Sequence, residues 1–132
     1  MGLDNGIGIK RRADLPALAF TYFDKEYRAK HNYDLEVAYW RKCWNVRSII
    51  MDILNVRENN NSYTIMTIDD VDTIITALRK INKKNWLAYG STIWDWKEFK
   101  SIQRRNIRNL RRLRRIMRKE PEVFEVYFYD SW

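Results

Sequence analysis

DLEVAYWRKCWNVRSIIMDIL, residues 34–54, is the stretch on which the fold turns. Asp34 suits an N-cap, and a helix over about Leu35–Leu54 is predicted to follow. At about 100° per residue, Val37, Trp40, Cys43, Trp44, Met51 and Leu54 share one stripe. Tyr39, Val46, Ile49, Ile50 and Ile53 extend the apolar cover to most of the circumference, which predicts a central, buried helix. Glu36 and Arg47 fall inside that stripe. Three turns, about 16 Å, would separate them on one helix, too far for a direct pair. Each therefore needs a counter-charge from elsewhere, or faces a pocket formed by Glu36, Trp40 and Arg47.

Outward from this stretch, the N-terminal residues Gly2–Lys10 alternate as a strand: Leu3, Asn5, Ile7 and Ile9 on one face, Asp4, Gly6, Gly8 and Lys10 on the other. Gly6 and Gly8 resemble a phosphate-binding loop only faintly, because the third glycine and an immediate helix are missing. Tight strand packing is the simpler reading. Leu18, Phe20 and Tyr22 alternate after Pro16 as a further strand candidate, and His31 reads as an exposed loop residue. Asn59–Ser62 is turn-rich, and Tyr63–Met66 suits a brief strand. Thr67 with Asp70 forms a capping-box pattern opening a helix over about 68–81, with Ile68, Val71, Ile74, Ile75 and Leu78 inward. Thr92 with Asp95 repeats the spacing and opens a helix over about 93–119. Its stripe is Trp96, Phe99, Ile102, Ile107, Leu110, Leu113 and Met117, interrupted by Gln103 and Asn106, and Pro121 ends it. Glu122–Tyr129 alternates as the clearest strand. The expectation is a single α+β domain, residues 1–132, in which a small antiparallel sheet including both terminal strands packs on three helices.

The chain has 132 residues, 25 Lys+Arg against 17 Asp+Glu, and a formal charge of +8. The charge is concentrated: Lys97–Lys119 carries +10, and the other 109 residues together carry −2. Arg104, Arg105, Arg108, Arg111, Arg112, Arg115, Arg118 and Lys119 occupy about 140° of arc opposite the apolar stripe. No acid lies between Arg104 and Lys119, so like charges repel at i,i+4 without local relief. Three readings compete: an external anion, acids from elsewhere in the fold, or a plain solvated face. Arg offers a bidentate fork to each phosphate, which favours the first. No aromatic residue interleaves with these arginines, so phosphate contact is expected rather than base readout.

Other chemistry is sparse. With one His and one Cys43, neither a disulfide framework nor an all-protein zinc site is expected. Cys43 reads as a small core residue in a reducing compartment. Asp4 and Asp130 hold mirrored positions on the terminal strands, which raises a carboxylate pair as a minor alternative. No nucleophile–base pair or cofactor loop appears, so neither catalysis nor a cofactor is expected. No apolar run approaches the ~20 residues of a membrane span, and no secretory signal is visible, which predicts a cytoplasmic protein.

MGLDNGI at the start, YWRKCW at 39–44, STIWDW at 91–96 and VYFYDSW at 126–132 resemble small uncharacterised proteins of phages and prophages of low-GC Gram-positive bacteria. The resemblance spans the chain and implies an accessory protein working in the host cell cytoplasm, one that counters a host defence among the options. It implies no catalytic residue. The functional expectation is therefore a non-enzymatic protein binding nucleic acid or a signalling nucleotide through the arginine-rich helix. The alternative is a protein–protein module that blocks a host factor.

Overall fold

The computed structural model describes residues 3–11, 29–31, 34–57, 63–121 and 124–132. In chain order the elements are β1 (Asp4–Arg11), β2 (Ala29–His31), β3 (Asp34–Arg41), α1 (Trp44–Leu54), β4 (Tyr63–Ile65), α2 (Ile68–Arg79), α3 (Trp96–Lys119) and β5 (Phe124–Ser131). The class is α+β, as expected. The sheet runs β2-β3-β1-β5-β4 with every neighbour antiparallel. The two terminal strands pair along their length, from Asp4 opposite Ser131 to Arg11 opposite Phe124.

Alternation builds the core. Ile7, Ile9, Trp40, Val126 and Phe128 are buried on one face with Val46 and Ile50 of α1, Ile74, Ile75 and Leu78 of α2, and Phe99, Leu110 and Leu113 of α3. The other face carries Gly6 and Gly8, directly opposite Tyr129 and Tyr127. A Cβ on Gly8 would lie 2.5 Å from the Tyr127 ring, and one on Gly6 would lie 2.6 Å from the Ala38 carbonyl oxygen. The glycines are thus the floor on which two tyrosines pack, as the simpler reading required.

The helix expected over 35–54 is corrected: only its second half is helical. Residues 34–41 are β3, paired with β1 across a bulge between Ile7 and Gly8. The reason is that LEVAYW is rich in strand-forming Val, Tyr and Trp, the bulge hides its alternation, and the long ladder to β1 outweighs the helical alternative. The break between strand and helix falls at Lys42, which takes a left-handed φ of 54° while its N–H donates to the Leu3 carbonyl at 2.5 Å. Asp34 therefore begins a strand rather than a helix. Cys43 precedes α1 without a side-chain cap.

Two other helices keep their sites with shifted starts or ends. Thr67 and Asp70 form the expected capping box on α2, which ends at Arg79. For α3 the box is Asp95 with Glu98, one turn later than the Thr92–Asp95 pair. Thr92 instead bridges Cys43. His31, expected in a loop, closes β2, and its expected exposure concerns a side chain outside the described set. The Leu18–Tyr22 alternation and the Asn59–Ser62 turn also lie outside the described residues.

Candidate anion-binding helix

α3 is 24 residues long, about 36 Å, and its two sides carry polar groups of different kinds. The inner side meets the edge of β3 that β2 leaves open. Asn106 Nδ2 donates to the Tyr39 carbonyl at 2.7 Å, and its Oδ1 accepts from the Tyr39 N–H at 3.4 Å. Asn109 Nδ2 donates to the Val37 carbonyl at 3.2 Å. Trp94 Nε1 donates to the Arg41 carbonyl at 2.8 Å. Residues 37, 39 and 41 are successive outward-pointing positions of β3, so side chains replace a strand there. Gln103 Oε1 accepts from Trp40 Nε1 at 2.6 Å. The polar interruptions at Gln103 and Asn106 are thus hydrogen-bonding positions against a strand edge.

The outer side carries the cations. Arg104, Arg105, Arg108, Arg111, Arg115, Arg118 and Lys119 are exposed, and Arg112 is half-buried. One carboxylate from another element reaches this region among the ion pairs of the described residues. Asp72 of α2 accepts from Arg114 at 2.6 Å and lies 3.8 Å from Arg118. Arg108 and Arg112 have interactions of their own. Arg104, Arg105, Arg111, Arg115 and Lys119 have no carboxylate within 4.0 Å among the described residues. Among the described residues, internal neutralisation, the main competitor to an external anion, therefore accounts for Arg114 and part of Arg118, with Arg108 and Arg112 engaged as well. The basic last turn lies at the negative end of the helix dipole, and Glu98 at its positive end, which offsets part of the repulsion.

A groove of about 370 Å³ opens where the end of α2 meets the first half of α3. Arg79, Lys100, Arg104, Arg108 and Arg111 line it together with Trp96, Phe99 and Ile107. Sequence reasoning placed the cations on one helix and missed the α2 contribution of Arg79. That residue carries no motif, and only the packing of α2 on α3 brings it there.

The expected pocket of Glu36, Trp40 and Arg47 is not assembled. Glu36 pairs with Gly8 and Trp40 with Asn5, positions on opposite faces of the sheet. Glu36 accepts a hydrogen bond from the Tyr129 hydroxyl. Arg47 Nε lies 2.6 Å from Asp130 Oδ2, and its guanidinium sits 5.4 Å from the Trp44 ring and 5.8 Å from the Trp132 ring. The error began with the helix: on a strand, Glu36 and Trp40 point apart across the bulge. Asp4 and Asp130 do not pair either. Asp4 is opposite Ser131 and accepts from the Tyr39 hydroxyl at 2.5 Å, while Asp130 is opposite Asn5 on the core face.

Burial raises the Tyr39 and Tyr129 phenols well above their ordinary value, reinforced by the Asp4 and Glu36 carboxylates they donate to. Burial likewise pushes the Cys43 thiol up to about 11, which makes it a poor nucleophile at neutral pH. The described residues hold no group of three or more His, Cys, Asp and Glu placed to bind a metal. Among them, no helix is long and apolar enough to cross a membrane.

Against known proteins, the chain matches no protein-family model, no curated protein and no solved structure.

Proposed function

We propose that this is a non-enzymatic binding protein that engages a phosphate-rich ligand, nucleic acid or nucleotide, along the outer side of α3. The supporting observation is that Arg104, Arg105, Arg111 and Arg115 stand exposed, without carboxylate partners among the described residues, along one helix. The helix backbone fixes the spacing of these guanidinium forks, so binding phosphates has to order only their side chains. Each phosphate neutralised releases counterions, so binding weakens steeply with salt. Arg108, Arg112, Arg118 and Lys119 flank the row and extend it. The action is occupancy or sequestration rather than turnover. A phage-type setting in the host cytoplasm, including the countering of a host defence, is part of the proposal and rests on the motif resemblance.

The test is fluorescence anisotropy of labelled nucleic acid at about 50 mM salt, with the triple variant Arg104→Glu, Arg111→Glu, Arg115→Glu as comparison. Because these side chains are exposed, the variant should keep its far-ultraviolet circular dichroism and thermal midpoint while losing binding. Unchanged binding in a folded variant, or unfolding of the variant, would sink the proposal. A second reading has its own observation: Leu87, Tyr89 and Ile93, on the connection between α2 and α3, are 51%, 58% and 60% exposed. Exposed apolar side chains on one connection suit a protein partner. A host protein that co-purifies after nuclease treatment and a wash at about 0.5 M salt would favour it.

A further inference from the structure

We infer that the groove between α2 and α3 is a nucleotide recess, taking a phosphorylated nucleoside with its base against Trp96 and its phosphate on Arg104, Arg111 and Arg79. This deepens the reading of α3 as a phosphate-binding helix and rests on it.

Three observations converge. The groove, of about 370 Å³, is within the range of small-ligand sites, and no acidic side chain among the described residues lines it. Its cations come from two elements: Arg79 from α2, Arg104 and Arg111 from α3. A plain solvated helix face has no such convergence.

Its apolar wall is aromatic. Trp96 is half-buried and is held by Trp86 and Phe99, with ring centroids 5.7 and 6.2 Å away. A tryptophan braced in this way offers a stacking surface that inorganic phosphate or an acidic peptide does not need. A ring carried on a phosphate is what uses both the wall and the cations.

The third observation is an unanswered donor. Gln103 lines the same groove and is 6% exposed. Its Oε1 is fixed by the Trp40 N–H, which can only donate, so the orientation of the amide is settled. Its Nε2 is left buried without an acceptor. Every nucleobase edge carries acceptors, and a base seated deep enough to reach this buried atom would satisfy the N–H.

The ligand chemistry is the same for a free nucleotide and for a nucleotide of a single strand, and the probes separate the two. The full chain is titrated with adenosine monophosphate, with a 5′-phosphorylated octa-adenylate RNA, and with a duplex DNA of mixed sequence carrying at least as many phosphates. The recess predicts that octa-adenylate binds about tenfold or more tightly than the duplex at about 150 mM salt. It also predicts that Trp96→Leu weakens octa-adenylate about tenfold while sparing the duplex. Because Trp96 packs on Phe99, exposed Arg79→Glu serves as the second variant and should show the same selectivity with an unaltered thermal midpoint. Gln103→Glu keeps the acceptor for Trp40 but removes the donor, and should also weaken octa-adenylate selectively. Displacement of octa-adenylate by the monophosphate assigns the recess to free nucleotides; binding of octa-adenylate without displacement assigns it to strands. Equal affinity for octa-adenylate and duplex, with Arg79→Glu and Trp96→Leu both indifferent, overturns the recess and leaves the phosphate-binding face standing. Failure of all three probes to bind overturns both.

Discussion

The two sides of α3 carry polar groups under opposite conditions. On the inner side Gln103, Asn106 and Asn109 are almost fully buried, and most of their hydrogen-bonding capacity is met by β3 and Trp40. On the outer side Arg104, Arg105, Arg111 and Arg115 are exposed and have no carboxylate partners among the described residues. Desolvation explains the difference. A buried polar group without a partner costs about 1–3 kcal/mol, so most of the inside is matched, with Gln103 Nε2 and Asn109 Oδ1 left over. Water solvates the outer guanidiniums, so the fold need not answer them, and an incoming anion finds them available. Asn106 and Asn109, bound to the backbone of β3, are therefore structural; the outer cations, with the groove-lining Gln103, are the functional candidates.

That contrast can be broken experimentally. The largest effect is expected from the pair of Arg47 on α1 with the buried Asp130 of β5. Arg47→Met leaves Asp130, which is fully buried, without its cation, and should cost about 3–5 kcal/mol in urea unfolding. Arg115→Met, on the outer side, should stay within about 0.5 kcal/mol of the parent. Equal losses for these two arginines would erase the distinction. Asn106→Ala strips the partner from both backbone groups of Tyr39 and should cost about 2 kcal/mol, with faster amide exchange at Tyr39 by NMR. If Asn106→Ala is neutral, α3 is not the cover of the β3 edge. Asp95→Ala removes the side-chain cap of α3, and a loss of about 1 kcal/mol should appear as fraying of its first turn. Among the residues with a protein partner, the smallest effect is expected for Arg114→Ala. Its partner Asp72 is about half exposed, so the pair should contribute less than about 1 kcal/mol and fade at high salt.

Different stretches were legible to different degrees. α2 and β5 could be read because a capping box or a strict alternation agrees with what packing demands. α3 was readable in its body, while its start was ambiguous: Thr92–Asp95 and Asp95–Glu98 both have the box spacing, and the bridge between Cys43 and Thr92 removes the first from contention. Residues 35–41 read as a helix because Val37 and Trp40 have helical spacing, while the bulge at Val37 breaks the alternation that marks a strand. With that error the supposed Glu36–Trp40–Arg47 pocket also dissolved. The arginine row was fully visible. Arg79, the Trp96 wall and the lone Gln103 N–H were not, because each acquires meaning only from a neighbour distant in the chain.

The chain by itself determined the α+β class, the strand character of both ends and the concentration of positive charge on one helix. These are properties of local periodicity and of composition, which no packing can alter. Tertiary structure alone decided that 34–41 would be a strand and that α3 would cover its open edge. It also decided which arginines would be answered from within. Those outcomes depend on hydrogen-bond partners and desolvation between segments far apart in sequence, and local preference carries no information about them.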